Sequence, residues 1–460
     1  MPSQLIDSIF FKDLYGTDEM RAVFDDLSLL QRWLDVEVAL AQAEAELGVI
    51  PQAAALEITR KARAENLDTA RIKKLIDQTV HPIVPLIRVL AEACEGDAGE
   101  YIHWGATTQD IMDTANVLQM KQALTILARR LDTLLGVLTE LAEQHRDTVM
   151  AGRTHGQQAL PITLGFKVAV WIAELERHRE RLRECQPRLL VGQFAGAVGT
   201  LASVAEQGLE IQQRMMQKLG LGVPPIAWHT ARDNVAEFIS ILGMLAATIG
   251  KIAHAVILLQ MTELDEIEEP FNEGKVGSST MPHKRNPMIC EAILGLTQLV
   301  VNTVPSALAA MAQEHERDWA RQHMEWAFVP EACIMSDGAL ALLTRVGRGL
   351  QVNPARMARN LDELDGLMLS EAVMLRLAKK VGRQTAHEVV YACSMRAFEQ
   401  GRPFRTTLAE HPVVTAHLSA PEIEQLLNPR HYTGLAGQFV DQVVQSVKEQ
   451  NGQRNIKRQR

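Results

Sequence analysis

The sequence predicts an all-α protein, and its composition and apolar spacing are the observations that predict it. Aromatic residues make up only 5% of the 460 residues, whereas Ala, Leu, Met and Glu are plentiful, which favours helix over sheet. Apolar residues recur at spacings of three and four over runs far longer than an average globular helix. Long helices without strands between them are typical of a helix bundle.

The first part of the chain predicts several helices of moderate length. Residues 18–47 carry an apolar stripe, and Gly48 and Pro51 end it. Two further helices are expected at about 53–64 and 83–95.

The central part predicts the longest helices. Leucines from Leu118 to Leu141 recur at helical spacing within one run over residues 110–147. Comparable runs occupy about 162–187, 234–266 and 288–320, and they are expected to form a long helix bundle.

The last part predicts shorter helices, which gives a division into three helical domains. Helices are expected at 368–380, 383–400 and 421–428. The predicted division is an N-terminal domain at 1–109, a central bundle at 110–365, a C-terminal domain at 366–450 and a disordered basic tail at 451–460.

Composition and charge exclude several classes of function. The formal net charge of −9 argues against nucleic-acid binding and a polyanion-binding module, which need a basic face. Five scattered cysteines without CxxC spacing favour a reduced, cytoplasmic setting over a disulfide framework or a zinc site. The N-terminal residues show no signal-peptide pattern. The apolar stretch 238–261 contains Lys251 and His254, so a buried bundle helix is expected there and no membrane span.

One polar loop, residues 277–287, carries the strongest chemical signal. It reads GSSTMPHKRNP, and its two prolines discourage helix and fix bends. Lys284 offers a compact cation and Asn286 offers amide donors, both suited to a carboxylate. The loop therefore predicts a lid that closes on an anionic substrate, although a solvated polar loop would have the same composition.

The same loop resembles the signature GSSxMPxKxNP of the fumarase/aspartase superfamily. Two further segments resemble its other signature regions, HWGATTQDIMDTA from His103 and GRTHGQQALPIT from Gly152. The resemblance covers nearly the whole chain. It implies a homotetramer whose central helices form one large bundle, with each active site shared between three subunits. It also implies a reaction that needs no metal and no organic cofactor.

The resemblance assigns roles to individual residues. Superfamily members remove a proton beside a carboxylate and then expel a leaving group from the neighbouring carbon. Ser278 matches the base, His155 the general acid and Glu291 the carboxylate that orients this histidine. A serine base needs desolvation and nearby positive charge or backbone donors. The positions matched to substrate binding are Thr107, Thr108, Thr154, Lys284, Asn286 and His81.

Departures from the pattern bear on the substrate. Adenylosuccinate lyases carry an Arg-Tyr pair where this chain has Leu14-Tyr15, and a phosphate-holding SSxER run where it has residues 322–326, QHMEW. A phosphate without those donors would be poorly paired, so AMP is not the expected leaving group. Long segments such as 314–326 resemble 3-carboxy-cis,cis-muconate cycloisomerases, which tend to lack the histidine that this chain keeps as His155.

The sequence therefore leaves two chemistries open. The first is a lyase that carries out an anti β-elimination, through a carbanion held as an aci-carboxylate, on a succinyl-substituted amine and releases fumarate. The second is a 3-carboxy-cis,cis-muconate cycloisomerase, which makes or breaks a lactone C–O bond with the same loop. A non-catalytic helical scaffold is the alternative from another class, and the presence of Ser278, His155 and Lys284 argues against it.

Overall fold

The computed structural model describes residues 4–271, 278, 280, 281 and 283–458, with side chains as far as residue 450. By their contacts these residues form two compact units. The first contains residues 1–131, 178–249 and 295–341, and the second contains 132–177, 250–294 and 342–460. These discontinuous units do not follow the three predicted domain ranges, so the three-domain division stays a prediction.

The predicted all-α class is confirmed, beginning with short and medium helices in the first hundred residues. They are α1 Lys12–Tyr15, α2 Asp18–Phe24, α3 Asp26–Glu46, α4 Gln52–Lys61, α5 Thr69–Thr79 and α6 Ile83–Ala93. The run predicted as one helix over 18–47 is two helices, because Asp25 adopts extended backbone and its side chain accepts a hydrogen bond from the Ser28 N–H. Asp25 thus caps α3 and ends α2.

The middle of the chain contains the longest helices, as predicted. They are α7 Thr108–Gln144, α8 Leu164–Glu184, α9 Gln186–Leu189, α10 Gly208–Leu219, α11 Asp233–Gln260, α12 Met288–Ala310 and α13 Trp319–Gly349. The periodic leucines of α7 are buried, as their spacing indicates. The single helix predicted at 288–320 is wrong at its end, since α12 ends at Ala310 and the Asp318 carboxylate accepts from the Ala320 N–H at the start of α13.

The last hundred residues form shorter helices around a core of their own. They are α14 Pro354–Asp362, α15 Ser370–Val381, α16 Arg383–Gln400, α17 Phe404–Glu410, α18 Pro412–Thr415, α19 Ala420–Leu426 and α20 Ala436–Arg458. Val373, Leu377, Phe404 and Leu408 are among the fully buried residues of that core. Helix α20 continues to Arg458, where the sequence predicted a disordered tail from 451; its one glycine there, Gly452, weakens a helix without ending it.

In the part of the chain that the structure describes, two small antiparallel strand pairs interrupt the helices. Strands β1 Val149–Thr154 and β2 Gln157–Thr163 form a hairpin, and β3 Ile267–Glu268 pairs with β4 Gln351–Val352. The sequence placed the segment around Gly152 in a loop. Its short run of β-branched and small residues instead pairs across a two-residue turn, which helical periodicity does not detect.

Among the described residues, three helices are long and apolar enough to cross a membrane by length and composition alone, namely α11, α12 and α13. Their most apolar windows are 56%, 33% and 78% buried within the protein, respectively. Lys251 on α11 forms an ion pair with Glu174 on α8. Burial and pairing of α11 support its expected place in a helical core, whereas α12 keeps a largely exposed apolar face.

Helix α3 buries an ionisable side chain without a partner. Glu44 is fully buried, and neither of its carboxylate oxygens has a hydrogen-bond partner among the described residues. Burial, aided by the charge of Glu37, raises the pKa of Glu44 to about 9. The folded protein therefore holds Glu44 protonated at neutral pH.

We expect this proton to make stability depend on pH. Between the ordinary pKa of 4.5 and about 9, the folded state keeps a proton that the unfolded chain loses. The free energy of unfolding should thus fall by about 1.4 kcal/mol per pH unit as pH rises through this window. Glu44→Gln should remove that slope in urea titrations between pH 5.5 and 8, whereas the exposed control Glu65→Gln should keep it. Equal slopes in the two variants would show that Glu44 is ionised in the fold.

Candidate active site

The first signature region lies at the start of α7, where it contacts a histidine at the start of α6. The Nε2 atom of His81 lies 3.1 Å from the Thr108 hydroxyl, and its Nδ1 atom accepts from the Val84 N–H at 3.2 Å. Because Nδ1 accepts, the proton of the neutral ring sits on Nε2 and is donated to Thr108. Burial and the nearby charge of His103 lower the pKa of His81, which keeps the ring neutral. The structure thus brings two predicted substrate-binding residues together.

A buried carboxylate holds this region in place. Asp110, in the first turn of α7, accepts hydrogen bonds from the backbone N–H groups of Thr107, Ala195 and Gly196 at 2.9–3.1 Å. Its Oδ1 atom also lies 2.8 Å from His229 Nε2. The glycine-rich segment after Gly192 therefore binds Asp110. This positioning carboxylate was not predicted, although its place three residues after Thr107 was a usable signal.

A second histidine, His103, lies near His81 and pairs with a glutamate, and this pair was also not predicted. His103 has a left-handed backbone with φ of 63°, and its Nδ1 atom lies 2.7 Å from Glu37 on α3. Burial alone would lower the pKa of His103, but the charge and hydrogen bond of Glu37 outweigh it and raise the pKa. The Glu37 carboxylate thus favours the protonated form of this imidazole. No sequence pattern connects Glu37 to it, because 66 positions separate the two residues.

The second signature region lies at the tip of the β1–β2 hairpin. His155 and Gly156 form its two-residue turn, with φ of 51° and 77°. Such a turn requires positive φ at both central positions, which is costly for a residue with a side chain. The turn leaves Thr154 and His155 exposed. It therefore presents the predicted general acid on a short, fixed support.

The hairpin is anchored by an ion pair beneath its tip. Arg153 binds the buried carboxylate of Glu266 through two nitrogens, at 2.9 and 2.7 Å. Asn360 on α14 donates to the same carboxylate at 2.9 Å, and Gln158 donates to the Asn360 backbone at 2.9 Å. This bidentate geometry fixes the orientation of β1 and hence of the turn that follows it.

The third signature region contains Ser278, and its hydroxyl receives backbone donors. The Ser278 oxygen accepts hydrogen bonds from the N–H groups of Thr280 at 3.3 Å and Met281 at 3.0 Å. Two such donors stabilise negative charge on the oxygen, which is what a serine base requires. Lys284 is exposed and Asn286 is half-buried in the same loop. Their carboxylate-binding roles stay predictions.

The end of this loop is held firmly where α12 begins. The Glu269 carboxylate accepts from the backbone N–H groups of Ile289 at 3.0 Å and Cys290 at 2.9 Å, and so satisfies free donors of the first turn. Arg285 pairs with Glu268 at 3.1 Å. Glu291 lies exposed in that turn. These contacts fix the end of the loop close to Lys284 and Asn286.

Each compact unit gathers only part of the predicted site. His81, Thr107 and Thr108 belong to the first unit, and the other predicted residues belong to the second. Within the described part of the chain, no hydrogen bond or ion pair joins His155 to Glu291. The predicted pairing takes these two residues from different subunits, so it stays a prediction.

Comparison with known proteins decides the family. The chain matches the family described as "Lyase" over residues 15–302 and the one described as "Adenylosuccinate lyase C-terminus" over residues 366–443. The chain belongs to the fumarase/aspartase superfamily. This lyase is 46% identical to N-acetyl-S-(2-succino)cysteine lyase of Dickeya dadantii (strain 3937), over 96% of this chain and 98% of the relative.

Two further comparisons show that this chain is also similar to other branches of the superfamily. The lyase is 44% identical to the adenylosuccinate lyase of Methanocaldococcus jannaschii, over 94% of this chain and 95% of the relative. Its fold matches the crystal structure of 3-carboxy-cis,cis-muconate lactonizing enzyme from Pseudomonas putida with a TM-score of 0.90 and 39% identity, covering 96% and 99% of the two chains. It is therefore an enzyme of a superfamily that acts on small carboxylates, as the sequence predicted.

Proposed function

We propose that this lyase eliminates fumarate from a succinyl group attached to a nitrogen or sulfur atom. A base removes the proton beside one carboxylate, the electron pair forms the C=C bond of fumarate, and the C–N or C–S bond breaks. The leaving amine or thiol takes up a proton. The observation that carries the proposal is His155, which the hairpin turn presents as an exposed imidazole. Histidine suits proton donation near neutral pH.

Each predicted residue other than Thr154 is given a step in this reaction. Ser278 removes the proton, since two backbone N–H groups stabilise its oxygen. Lys284 and Asn286 bind the carboxylate on which negative charge develops. Thr107 and Thr108, with His81 beside them, bind the substrate carboxylates. His155 protonates the leaving atom, and Glu291 of a neighbouring subunit orients that imidazole, as in a triad.

The relatives support both nitrogen and sulfur as the leaving atom. One is named for an S-(2-succino) thioether and another for adenylosuccinate, in which the succinyl group is on nitrogen. The second candidate is the cycloisomerase reaction, and it is favoured by the fold match to the lactonizing enzyme. Purified protein given succinyl thioethers and succinyl amines should release fumarate. Loss of the diene absorbance of 3-carboxy-cis,cis-muconate, without any fumarate, would instead establish the cycloisomerase.

The role of His155 predicts different losses for the two leaving atoms. We expect His155→Gln to lower kcat by about 10²-fold for a succinyl amine, because an amine leaves only when protonated. The loss for a thioether should be below about 10-fold, since a thiol ionises near pH 8.5 and can leave as thiolate. Steady-state fumarate release at pH 7.5 measures both losses. Equal losses for the two substrates would assign His155 to binding.

We further propose a cytoplasmic homotetramer whose active sites combine residues of three subunits. The largely exposed apolar face of α12 supports this assembly, because exposed patches of that kind mark interfaces. Leu299 and Leu308 on this helix are 43% and 54% exposed.

Mixing two variants that are each nearly inactive on a succinyl amine should restore activity on that substrate if sites are shared. His155→Gln and Ser278→Ala remove residues that the proposal takes from different subunits. Co-refolded at equal amounts, about a quarter of the sites should contain both intact residues, and activity should return toward that fraction. Light scattering checks that the mixture is tetrameric. Tetramers that stay inactive after subunit exchange would place both residues of each site on one chain.

A further inference from the structure

The first turns of α13 carry three ring side chains on one face. Trp319, His323 and Trp326 follow each other at spacings of four and three, and we refer to them as the aromatic wall. Trp319 lies parallel to the ring of His81, with centroids 6.2 Å apart. Trp326 meets Trp319 edge-on at 5.4 Å and His323 at 4.4 Å. The wall thus extends from the histidine that binds Thr108.

A cavity of about 330 Å³ adjoins the wall and includes Trp326 in its lining. Its other lining side chains include Trp33, Pro82 and Met112, so it begins one residue after His81. The described residues that line this cavity include no Lys, Arg or His. Its buried carboxylate, Glu325, is already paired with Arg232. Asp26, Asn116 and Gln119 also line the space, which is otherwise apolar, and none of its lining residues offers a cation to an anionic ligand.

The position of the wall connects it to the reaction. A substrate whose succinyl carboxylate lies at Thr108 and His81 can extend along Trp319 and Trp326 toward the cavity. Rings bind alkyl and amide groups by surface burial and stacking, whereas a phosphate there would lose its hydration without gaining a counter-charge. An anionic subsite at Thr108 and His81 is thus followed by a neutral subsite, which the aromatic wall and the cavity form.

Building on the function proposed above, we propose that the aromatic wall and its cavity bind the leaving group and select uncharged amide or alkyl substituents. The substrate class is then a succinyl thioether or amine whose leaving group carries no phosphate. Trp326 determines specificity, because it belongs both to the wall and to the cavity lining.

Two thioethers and two tryptophan variants test this subsite. N-acetyl-S-(2-succino)cysteine has an amide-bearing leaving group that reaches the wall, whereas S-methyl-mercaptosuccinate has only a methyl group. Trp326→Ala should lower kcat/KM about 10- to 100-fold for the first thioether and less than about 3-fold for the second. Trp326→Phe, which keeps a ring, should restore most of the loss, and the exposed control Phe398→Ala should change neither value. Equal losses for the two thioethers would overturn the proposal, as would a loss of assembly on light scattering, which would make the wall a subunit contact.

A binding measurement keeps this test separate from the proposed reaction. If the wild type releases fumarate from neither thioether and from no succinyl amine, the proposed function fails. Calorimetric titration with N-acetylcysteine, the leaving group alone, then tests the wall. Binding that Trp326→Ala weakens at least 10-fold would support the subsite. Absent binding, or equal binding by wild type and variant, would overturn it. Adenylosuccinate serves as the phosphate-bearing comparison, and turnover of it as fast as of the acetylated thioether would also contradict the proposed selection.

Discussion

Replacing Ser278 by alanine is expected to lower fumarate release by about 10³-fold or more, which is the range for removal of an essential proton-transfer group. The reason is that the hydroxyl oxygen receives two backbone donors, from Thr280 and Met281, which stabilise it after it loses its own proton. Alanine removes the oxygen that takes the substrate proton. It leaves those N–H groups in a solvent-exposed part of the loop, so little stability should be lost.

The neighbouring serine is the matched control for this change. Ser279→Ala should keep activity within about threefold of wild type, since the proposal gives this hydroxyl no chemical role. Circular dichroism, thermal unfolding and light scattering establish that both variants keep fold and assembly. Normal turnover by Ser278→Ala together with an inactive Ser279→Ala would transfer the base to Ser279. Exchange of the substrate α-proton with solvent separates loss of the base from loss of the acid. A variant without the base should not exchange this proton, whereas a variant without the acid should still exchange it.

The long helices were predictable because their evidence lies within each segment. In α7 the leucines recur at helical spacing, and burying one face explains all of them. The break at Asp25 and the turn before α13 were missed, because one capping carboxylate outweighs a continuing apolar pattern. Such a cap is visible in sequence only as an ordinary surface residue.

The candidate site residues were named from their motifs, and their roles stay predictions, whereas the residues that support them were not predicted. Ser278, His155 and Thr108 stand in recognisable segments. The partners of Asp110 lie 85 residues further on at Ala195 and 119 residues further on at His229, and no local pattern joins them. The aromatic wall illustrates the same limit. Spacing shows that its members share a helix face, and only the fold shows that the face meets His81.

Replacing Arg232 by leucine should cause the largest loss of stability, about 3–5 kcal/mol. Arg232 is buried and binds Asp113 through two nitrogens at 2.8 and 3.0 Å, and Glu325 through Nε at 2.8 Å. Both carboxylates are buried as well. Burial raises the pKa of Glu325 despite the attraction of Arg232, which shows how costly its charge is. Without the guanidinium, two negative charges would face each other in the core.

Urea unfolding of Arg232→Leu measures this loss, with Arg214→Ala as the control. Arg214 pairs with Glu46 and Glu210 at the surface, so its loss should cost below about 1 kcal/mol. The deficit of Arg232→Leu should shrink at pH 4.5, where the orphaned carboxylates can take up protons. Combining it with Asp113→Asn and Glu325→Gln should recover most of the stability, because the repulsion is then removed. The guanidinium of Arg232 also lies over the Trp228 ring, 4.9 Å from its centroid. A deficit that stays the same at both pH values and in the triple variant would mean that Arg232 stabilises the fold by this packing and not by neutralising charge.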